Sequence, residues 1–225
     1  MTNEDIRILT IRAIENAPDY FYEVPASSSG RYHPMTSLGE GGLVRHTYSL
    51  CMILEELFEL EWYDMTDRER DMCRCAGIVH DMCKCGDTGT HTVFNHPILA
   101  ASFIEKCNEQ NQNGSMIVSK DEIQEIQRCL SSHMGKWNEN TRTGEKLPKP
   151  VDILQCIVHE ADYIASRRFL EVRFTEEEKN ILYPQIDIED YILKFGTKHS
   201  GKKLLQVAKE DFDYVRWMYT SCELA

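Results

Sequence analysis

Long hydrophobic runs, internal repeats and low-complexity tracts are all missing from this chain of 225 residues. No apolar stretch is long enough to span a membrane. The first residues, Met1–Asp5, lack the basic and apolar regions of a signal peptide. These absences predict a cytoplasmic protein without a membrane partner, and the lack of repeats argues against a solenoid.

Basic residues are also fewer than acidic residues. Lys and Arg total 25 against 37 Asp and Glu, which gives a net charge of -12. The isoelectric point is near 5.1. Sequence-independent binding to duplex nucleic acid needs clustered positive charge, so this balance argues against a duplex partner. A small substrate fits the composition better.

The polar–apolar alternation that is typical of β-strands is absent as well. Apolar residues instead recur at helical spacing, and hydrophobic residues make up 42% of the chain, enough for a substantial core. We therefore predict an all-α fold with one domain over 1–225. It begins with a helix and loop in 1–40 and ends with a helical extension in 169–225.

The nine cysteines do not indicate disulfides, because their number is odd and a chain of this size does not need cross-links. Cys73 and Cys75 stand two residues apart on a predicted helix, which directs their sulfurs about 200° apart and suits one tetrahedral ion poorly. We predict reduced thiols, with Cys73, Cys75 and Cys83 as small helix-packing residues.

Helical spacing predicts the boundaries of the elements. A first helix is capped by Thr2, ends before Pro18 and buries Ile6, Leu9 and Ala13. Further helices are predicted over 43–60, from Thr66 or Asp67 through Asp81, from Pro97, from about Ile123 to His133, and after Pro150 with Val151 inward. In the C-terminal part we predict helices from Thr175, over Asp187–Phe195, and over Lys202–Tyr219 with Leu204, Leu205, Ala208, Phe212 and Val215 inward.

Six side chains that can bind a metal lie on otherwise apolar faces or at ends of five predicted helices. They are His46, His80, Asp81, His96, His133 and Asp162. A single histidine on an apolar face is more often hydrogen-bonded to a carbonyl than bound to a metal. Joint occurrence favours a metal, because one ion satisfies several buried polar groups. This imidazole and carboxylate set suits Mn, Fe, Co, Ni or Zn, is compatible with Mg, and argues against a closed structural zinc site.

The order of these residues resembles the metal-binding signature of the HD-domain phosphohydrolases. Stretches similar to the HD domain of bacterial 3'-to-5' exoribonucleases are Gly41–Thr47, Ser132–Lys136, Leu147–Pro150 and His159–Tyr163. The segment His80-Asp81-Met82-Cys83-Lys84 and the pair His96-Pro97 resemble elements of the binuclear branch of the superfamily. The resemblance covers about Gly41 to Arg168 and implies a catalytic core over 41–168.

The resemblance implies an HD-domain helical bundle that holds one or two divalent ions. The implied ligands are His46, His80, Asp81 and Asp162 for the first ion, and Asp81, His96 and His133 for the second. Where relatives often have two adjacent histidines, this chain has Met134 after His133. The implied reaction is hydrolysis of a phosphate ester or anhydride of a nucleotide or small phosphodiester.

Other polar residues are expected to act on the substrate. Lys84, one helical turn after Asp81, would neutralise a phosphate oxygen, and His33 would donate a proton to the leaving group. Residues expected to bind the anionic substrate are Arg45, Lys136 and Arg167. Simpler interpretations are a solvated lysine, a loop histidine and ordinary surface charges. The aromatic residues Tyr48, Trp137 and Tyr163 are candidates for stacking on a base, although aromatic residues near a site more often pack.

Two other functions remain open. One is 3'-to-5' exonuclease activity on single-stranded RNA or DNA. About forty residues precede Gly41 and show no strand pattern, so we do not expect the nucleic-acid-binding β-barrel that precedes the HD domain in the exoribonucleases. The other is a non-catalytic, metal-stabilised sensor or interaction module. The helices predicted after Glu176 either cap the site or form a homo-oligomer interface.

Overall fold

The computed structural model describes residues 1–27, 30, 32–86, 89, 91–109, 116–169, 189–193 and 198–221. Within these ranges the chain is helical, with two isolated β-bridges and no strand. The prediction of an all-α fold is confirmed. None of the helices in these ranges has the length and apolar character needed to cross a membrane.

Two compact units make up the chain, Met1–Val172 and Arg173–Ala225. The sequence predicted a single domain with a helical extension after residue 168. The second unit has a small apolar core of its own, formed by Leu193, Val207 and Met218. The six candidate ligands all lie in the first unit.

The first unit is built around a central helix. In the described residues its α-helices are α1 Glu4–Glu15, α2 Gly42–Phe58, α3 Asp67–Val79, α4 His96–Glu109, α5 Lys120–Ser132 and α6 Ile153–Ala165. Helix α3 contacts α1, α2, α5 and α6. These helices share one core of buried apolar side chains. The C-terminal end of α3 therefore lies in the middle of the unit.

Local chemistry fixes where α3 begins and how closely it approaches α2. Thr66 caps the helix through a capping box with Glu69, as the sequence predicted for its start. Further along, a Cβ atom on Gly77 would lie 2.7 Å from Leu50 and 2.8 Å from Leu54 on α2. Because a larger side chain would push the helices apart, Gly77 permits the close contact that brings the end of α3 to His46.

The start of α1 is bound to α3 by a buried carboxylate. Asp71 is 0% exposed and accepts hydrogen bonds from the backbone N–H groups of Thr2 and Asn3, both at 2.8 Å, and from Arg74 at 2.7 Å. The predicted Thr2 cap is wrong, because Asn3 occupies the N-cap position. The predicted inward-facing residues are buried: Ile6, Leu9 and Ala13.

Several predicted helix ends differ from the structure by a residue or two. Helix α3 ends at Val79, so that His80 is its C-cap and Asp81 lies in the turn that follows. Likewise α5 ends at Ser132, with His133 as its C-cap. His96, predicted to precede α4, is its first residue. Val151, predicted to be buried, is 78% exposed because it precedes α6.

The cysteines of the described residues are all free thiols. Cys73, Cys75 and Cys83 are buried in the core of the first unit, as predicted. Burial raises the pKa of the Cys75 thiol to about 12, so that it stays protonated at neutral pH. These residues therefore act as packing groups.

The second unit contains α7 Leu204–Glu210 and α8 Phe212–Ser221. The predicted single helix over 202–219 is wrong, because the chain leaves helical geometry at Asp211, with φ -152° and ψ 71°. The Asp211 carboxylate accepts a hydrogen bond from the Tyr214 backbone at 3.1 Å and thereby begins α8. Two residues predicted to face inward, Leu205 and Phe212, are exposed.

The remaining C-terminal predictions are tested only in part. Residues 189–193 form a turn and an isolated bridge between Ile192 and Lys203, so the predicted helix over Asp187–Phe195 is absent from its described portion. The helix predicted from Thr175 lies outside the described residues. In the first unit, the chain between α5 and α6 forms a 3-10 turn, Gly135–Trp137, and a bridge between Glu139 and Lys146.

Candidate metal centre

The six candidate ligands come together from five helices or their ends. They are His46 on α2, His80 and Asp81 after α3, His96 at the start of α4, His133 after α5 and Asp162 on α6. The imidazole rings form a continuous row: centroid distances are 5.4 Å from His46 to His80, 5.2 Å from His80 to His133, and 5.2 Å from His133 to His96. Five of the six residues are buried, and the side chain of Asp162 is 20% exposed.

Asp81 lies at the centre of this row. Its Oδ1 atom is 3.1 Å from Nε2 of His96 and 3.9 Å from Nε2 of His133. Its Oδ2 atom is 3.5 Å from Nε2 of His80. Two groups of potential ligand atoms result, His46 with His80 and Asp81, and Asp81 with His96 and His133, each within 4.8 Å. The two groups share one carboxylate.

Asp162 adds a second carboxylate on the His46 side. Its Oδ1 atom lies 3.0 Å from Nε2 of His46 and 3.8 Å from Nε2 of His80. The first group therefore has two imidazoles and two carboxylates, whereas the second has two imidazoles and the shared Asp81. Such oxygen and nitrogen donors fit a divalent transition metal.

Backbone carbonyl groups fix the tautomers of three of the imidazoles. The Nδ1 atoms of His80, His96 and His133 lie 2.7, 2.8 and 2.7 Å from the carbonyl oxygens of Gly77, Val93 and Leu130. An Nδ1–H that donates to a carbonyl leaves the lone pair on Nε2, the atom that faces Asp81 in each case. Metal-binding histidines are commonly oriented by a hydrogen bond of this kind from the other ring nitrogen.

Unsatisfied polar atoms in the centre provide a test of whether a metal fits. Nε2 of His80 and Oδ1 of Asp81 are buried and have no hydrogen-bond partner among the residues that the structure describes. Buried polar atoms are normally satisfied, and leaving one without a partner costs about 1–3 kcal/mol. A cation between the imidazoles and the carboxylate would satisfy both atoms, so the side chains present fit a metal.

The charges of the centre favour the deprotonated forms that bind metals. Burial alone would raise the pKa of Asp81, but the positive charges of Lys84 and His80 outweigh it and hold the pKa well below its usual value. Burial, together with His80 and His96, lowers the pKa of His133 to about 3. Both residues therefore present lone pairs at neutral pH.

His80 shows the opposite shift. Burial works against its protonation, yet the negative charges of Asp81 and Asp162 raise its pKa above the usual value. The centre therefore attracts positive charge in the space between these carboxylates. A proton on His80 and a metal ion therefore compete for binding beside the same two carboxylates.

His159 is a functional candidate that sequence reasoning missed. Its Nδ1 donates a hydrogen bond to the backbone carbonyl of His133 at 2.6 Å. Its ring also lies against Gly135, where a Cβ atom would be 2.1 Å from Cε1 of His159 and where φ is +55°. The spacing of one helical turn to Asp162 was a usable signal, because it places His159 beside the same site.

A cavity of about 380 Å³ opens over the metal centre. It is lined by five of the six candidate ligands, namely His46, Asp81, His96, His133 and Asp162. Three of the other predicted site residues also line it: Lys84, His33 and Arg167. Lys84 forms an ion pair with Oδ2 of Asp81, which places its ammonium group at the floor of the cavity.

His33 lies beside the first group of ligands. Its ring centroid is 5.2 Å from that of His46, and its Nδ1 is buried without a hydrogen-bond partner in the described part of the chain. Burial, followed by the charges of His46 and Lys84, lowers the pKa of His33 to about 3. The side chain is therefore neutral at physiological pH in this geometry.

Two predicted substrate-binding residues are not brought to the cavity. Arg45 is 3% exposed and donates to the carbonyl oxygens of the preceding loop, at Thr36, Leu38 and Glu40. It therefore holds that loop against α2 and is neither a surface ion pair nor a cavity residue. Lys136 is exposed and lies 4.5 Å from the ring centroid of Trp137, outside the residues that line the cavity.

The family model that describes the HD domain matches residues 43–167, more than half of the chain. The matched range contains all six candidate ligands and His159. No curated protein and no solved structure matches the chain.

Proposed function

The chain belongs to the HD-domain family, and from this premise we propose that it is a metal-dependent phosphohydrolase or phosphodiesterase. Its substrate would be a phosphate ester or anhydride of a nucleotide or small phosphodiester. The observation that carries the proposal is the position of Asp81, which two groups of ligands share. Paired divalent sites of this kind are typical of enzymes that hydrolyse phosphorus–oxygen bonds.

We assign His46, His80, Asp81 and Asp162 to one ion, and Asp81, His96 and His133 to a second. Ions such as Mn, Fe, Co, Ni or Zn, with Mg also compatible, would supply Lewis acidity and a nucleophile at neutral pH. The carbonyl partners of the Nδ1 atoms hold His80, His96 and His133 in place before any ion binds, so little ordering of these three side chains is left to occur on binding.

Lys84 has the chemistry to bind the phosphate. Its ammonium group contacts Asp81 and lines the cavity. An ammonium group has three N–H donors, so the contact with Asp81 leaves capacity for a non-bridging phosphate oxygen. Charge that builds up on the phosphate in the transition state would be stabilised by this fixed cation.

His33 is the candidate for proton transfer to the leaving group. It lines the cavity and reaches the site from the loop before α2. A neutral imidazole at this position can accept a proton from water and deliver it to an oxygen nearby. Arg167, which also lines the cavity, adds a second positive charge that would attract an anionic substrate.

The size and charge of the site favour a small substrate over a polymer. A volume of about 380 Å³ lies in the range of small-molecule sites. The net charge of -12 gives no general attraction for a long polyanion. Partners of this protein are accordingly proposed to be small anionic phosphate compounds.

A hydrolysis screen tests the proposal. Purified protein would be incubated with nucleoside mono-, di- and triphosphates, cyclic nucleotides, an aryl phosphodiester and short oligonucleotides, with Mn, Mg, Co, Ni and Zn added separately. We expect phosphate release or diester cleavage that requires a metal and is abolished in Asp81→Asn. No turnover with any substrate and any metal would contradict the proposal and favour a sensor or interaction module.

The same screen separates the exonuclease alternative. Stepwise shortening of oligonucleotides, with binding that weakens as salt rises, would identify a 3'-to-5' exonuclease. Cleavage confined to mononucleotides or small diesters would identify the proposed activity.

A further inference from the structure

One wall of the cavity over the metal centre is aromatic. Tyr32, Trp137 and Tyr163 line the cavity together with Arg167, and we call these four residues the aromatic wall. The rings of Trp137 and Tyr163 are nearly parallel, with an angle of 21° between their planes and 5.5 Å between their centroids. The floor, by contrast, consists of imidazoles, carboxylates and the ammonium group of Lys84. The cavity thus has a metal-binding end and an aromatic side.

The aromatic wall is fixed to the same elements that carry metal ligands. Tyr163 directly follows Asp162 on α6, and Trp137 lies four residues after His133 in the 3-10 turn that follows α5. The backbone positions of both rings are therefore set by the elements that carry candidate ligands.

Arg167 contacts the other residues of the aromatic wall. Its Nε donates to the carbonyl oxygen of Tyr163 at 3.1 Å, and its Nη2 donates to Oγ of Ser166 at 2.8 Å. Its guanidinium carbon lies 4.4 Å from the Tyr163 ring centroid and 6.0 Å from that of Tyr32. The next residue, Arg168, donates its backbone N–H to the carbonyl oxygen of Tyr32 at 2.8 Å, which anchors the loop to the end of α6.

Two rings of the aromatic wall keep exposed area at the cavity: Trp137 is 42% exposed and Tyr32 is 57% exposed. Trp137 and Tyr163 stack on each other, and the ammonium group of Lys136 lies 4.5 Å from the Trp137 ring centroid. A flat aromatic group would stack on the ring area that these contacts leave exposed and would remove that area from water. Lys84 and Arg167 line the same cavity and favour a ligand that is also an anion.

We propose that the aromatic wall binds a planar aromatic ring of the substrate, so that this hydrolase acts on phosphate esters that carry a nucleobase or an aryl group. The phosphate lies at the metal centre beside Lys84, and the ring lies against Trp137 and Tyr163. The inference rests on the proposed phosphohydrolase function and narrows its substrate class.

The test compares ligands that differ only by the ring. Dissociation constants for adenosine 5'-monophosphate and ribose 5-phosphate would be measured by isothermal titration calorimetry on the metal-loaded protein. We expect adenosine 5'-monophosphate to bind about tenfold more tightly than ribose 5-phosphate, because a single base-stacking contact typically changes affinity by about this factor. Phenyl phosphate and methyl phosphate form a second pair of ligands. Tighter binding of phenyl phosphate would show that the aromatic wall accepts any aromatic ring. Equal binding of these two ligands would show that the wall accepts nucleobases only.

Variants assign the preference to the aromatic wall. Trp137→Leu and Tyr163→Leu should each lower the ratio of the two affinities severalfold, whereas Trp62→Leu, a change at a residue that is 82% exposed and does not line the cavity, should leave the ratio intact. Equal affinity of wild-type protein for adenosine 5'-monophosphate and ribose 5-phosphate would overturn the inference. Because affinity and turnover are measured in separate experiments, a failure to hydrolyse any substrate would count against the proposed function and not against the aromatic wall.

Discussion

The Nε2 atom of His96 lies 3.1 Å from Oδ1 of Asp81, while Nε2 of His80 lies 3.5 Å from Oδ2 of the same carboxylate. One aspartate thus stands between two sets of imidazoles from different helices. Replacing Asp81 removes a ligand from both sets, whereas replacing His133 removes a ligand from one. Metal content in these variants therefore distinguishes a centre of two ions from a centre of one.

We expect His133→Ala to lower the metal content of the purified protein from about two ions per chain to about one, and Asp81→Ala to lower it to nearly zero. Elemental analysis after dialysis measures both values. The exposed His91 offers a matched control, since His91→Ala removes an imidazole outside the centre. One ion per chain in both wild type and His133→Ala would contradict the binuclear centre.

His159 should control the second ion without binding it. Its hydrogen bond to the carbonyl of His133 holds the turn that positions the His133 ring. We expect His159→Phe, which keeps a ring but lacks the donor, to weaken binding of the second ion about tenfold, as loss of the groups that orient a ligand does. Titration of the protein with metal, followed by calorimetry, measures the affinities for the first and the second ion separately.

A conservative variant separates this role from a general effect on folding. Asn can donate a hydrogen bond from its side-chain amide, so His159→Asn should restore much of the affinity for the second ion. If His159→Phe and His159→Asn weaken both ions equally, His159 acts on overall stability and not on the position of His133.

The candidate ligands could be found from the sequence because each interrupts an apolar helical face. His46, for example, falls among Leu43, Leu50 and Leu54, where an unpartnered polar group is costly. The exact helix ends could not be found in this way. His80 and His133 fall just beyond α3 and α5, because their own Nδ1 atoms and the tertiary contacts of the following turns decide where each helix stops.

Residues whose roles depend on loops were harder to predict. Arg45 lies next to His46 in sequence, and its direction on the helix suggested a surface position. It is buried because the loop over 36–40 folds back and presents carbonyl oxygens to its guanidinium group. The break at Asp211 has a similar origin, since Lys198 and His199 pair with that carboxylate from the preceding segment. Helical spacing carries no information about either contact.

Lys84 should contribute to turnover and not to metal binding. We expect Lys84→Met to lower kcat/KM about 100-fold, because it removes a fixed positive charge beside the developing charge of the phosphate, and to leave the metal content unchanged. Steady-state kinetics with the best substrate of the screen and elemental analysis give both values. Lys149→Met, at an exposed position, is the matched control. An unchanged kcat/KM would show that Lys84 only balances the charge of Asp81.

Asp71 should stabilise the first unit in a way that depends on pH. Burial alone would raise the pKa of Asp71, but hydrogen bonds from Asn3, Arg74 and Thr2 outweigh it and lower the pKa to about 2. Because the folded pKa lies below the unfolded value, the ionised group stabilises the fold at pH values above about 4, and this stabilisation is lost as the pH falls through about 2. A substitution at Asp71 should therefore be most costly near neutral pH.

We expect Asp71→Asn to lower the free energy of unfolding by about 2 kcal/mol at pH 7, with a smaller difference from wild type at pH 3. Urea unfolding in the presence of a chelator measures the free energy of unfolding at both pH values. The metal ligands are the same in the two proteins, so their contribution drops out of the difference between them. Asp67→Asn changes an exposed carboxylate on the same helix and should cost less than about 0.5 kcal/mol. A difference for Asp71→Asn that stays constant between pH 7 and pH 3 would show that the contacts of Asp71 do not depend on its charge.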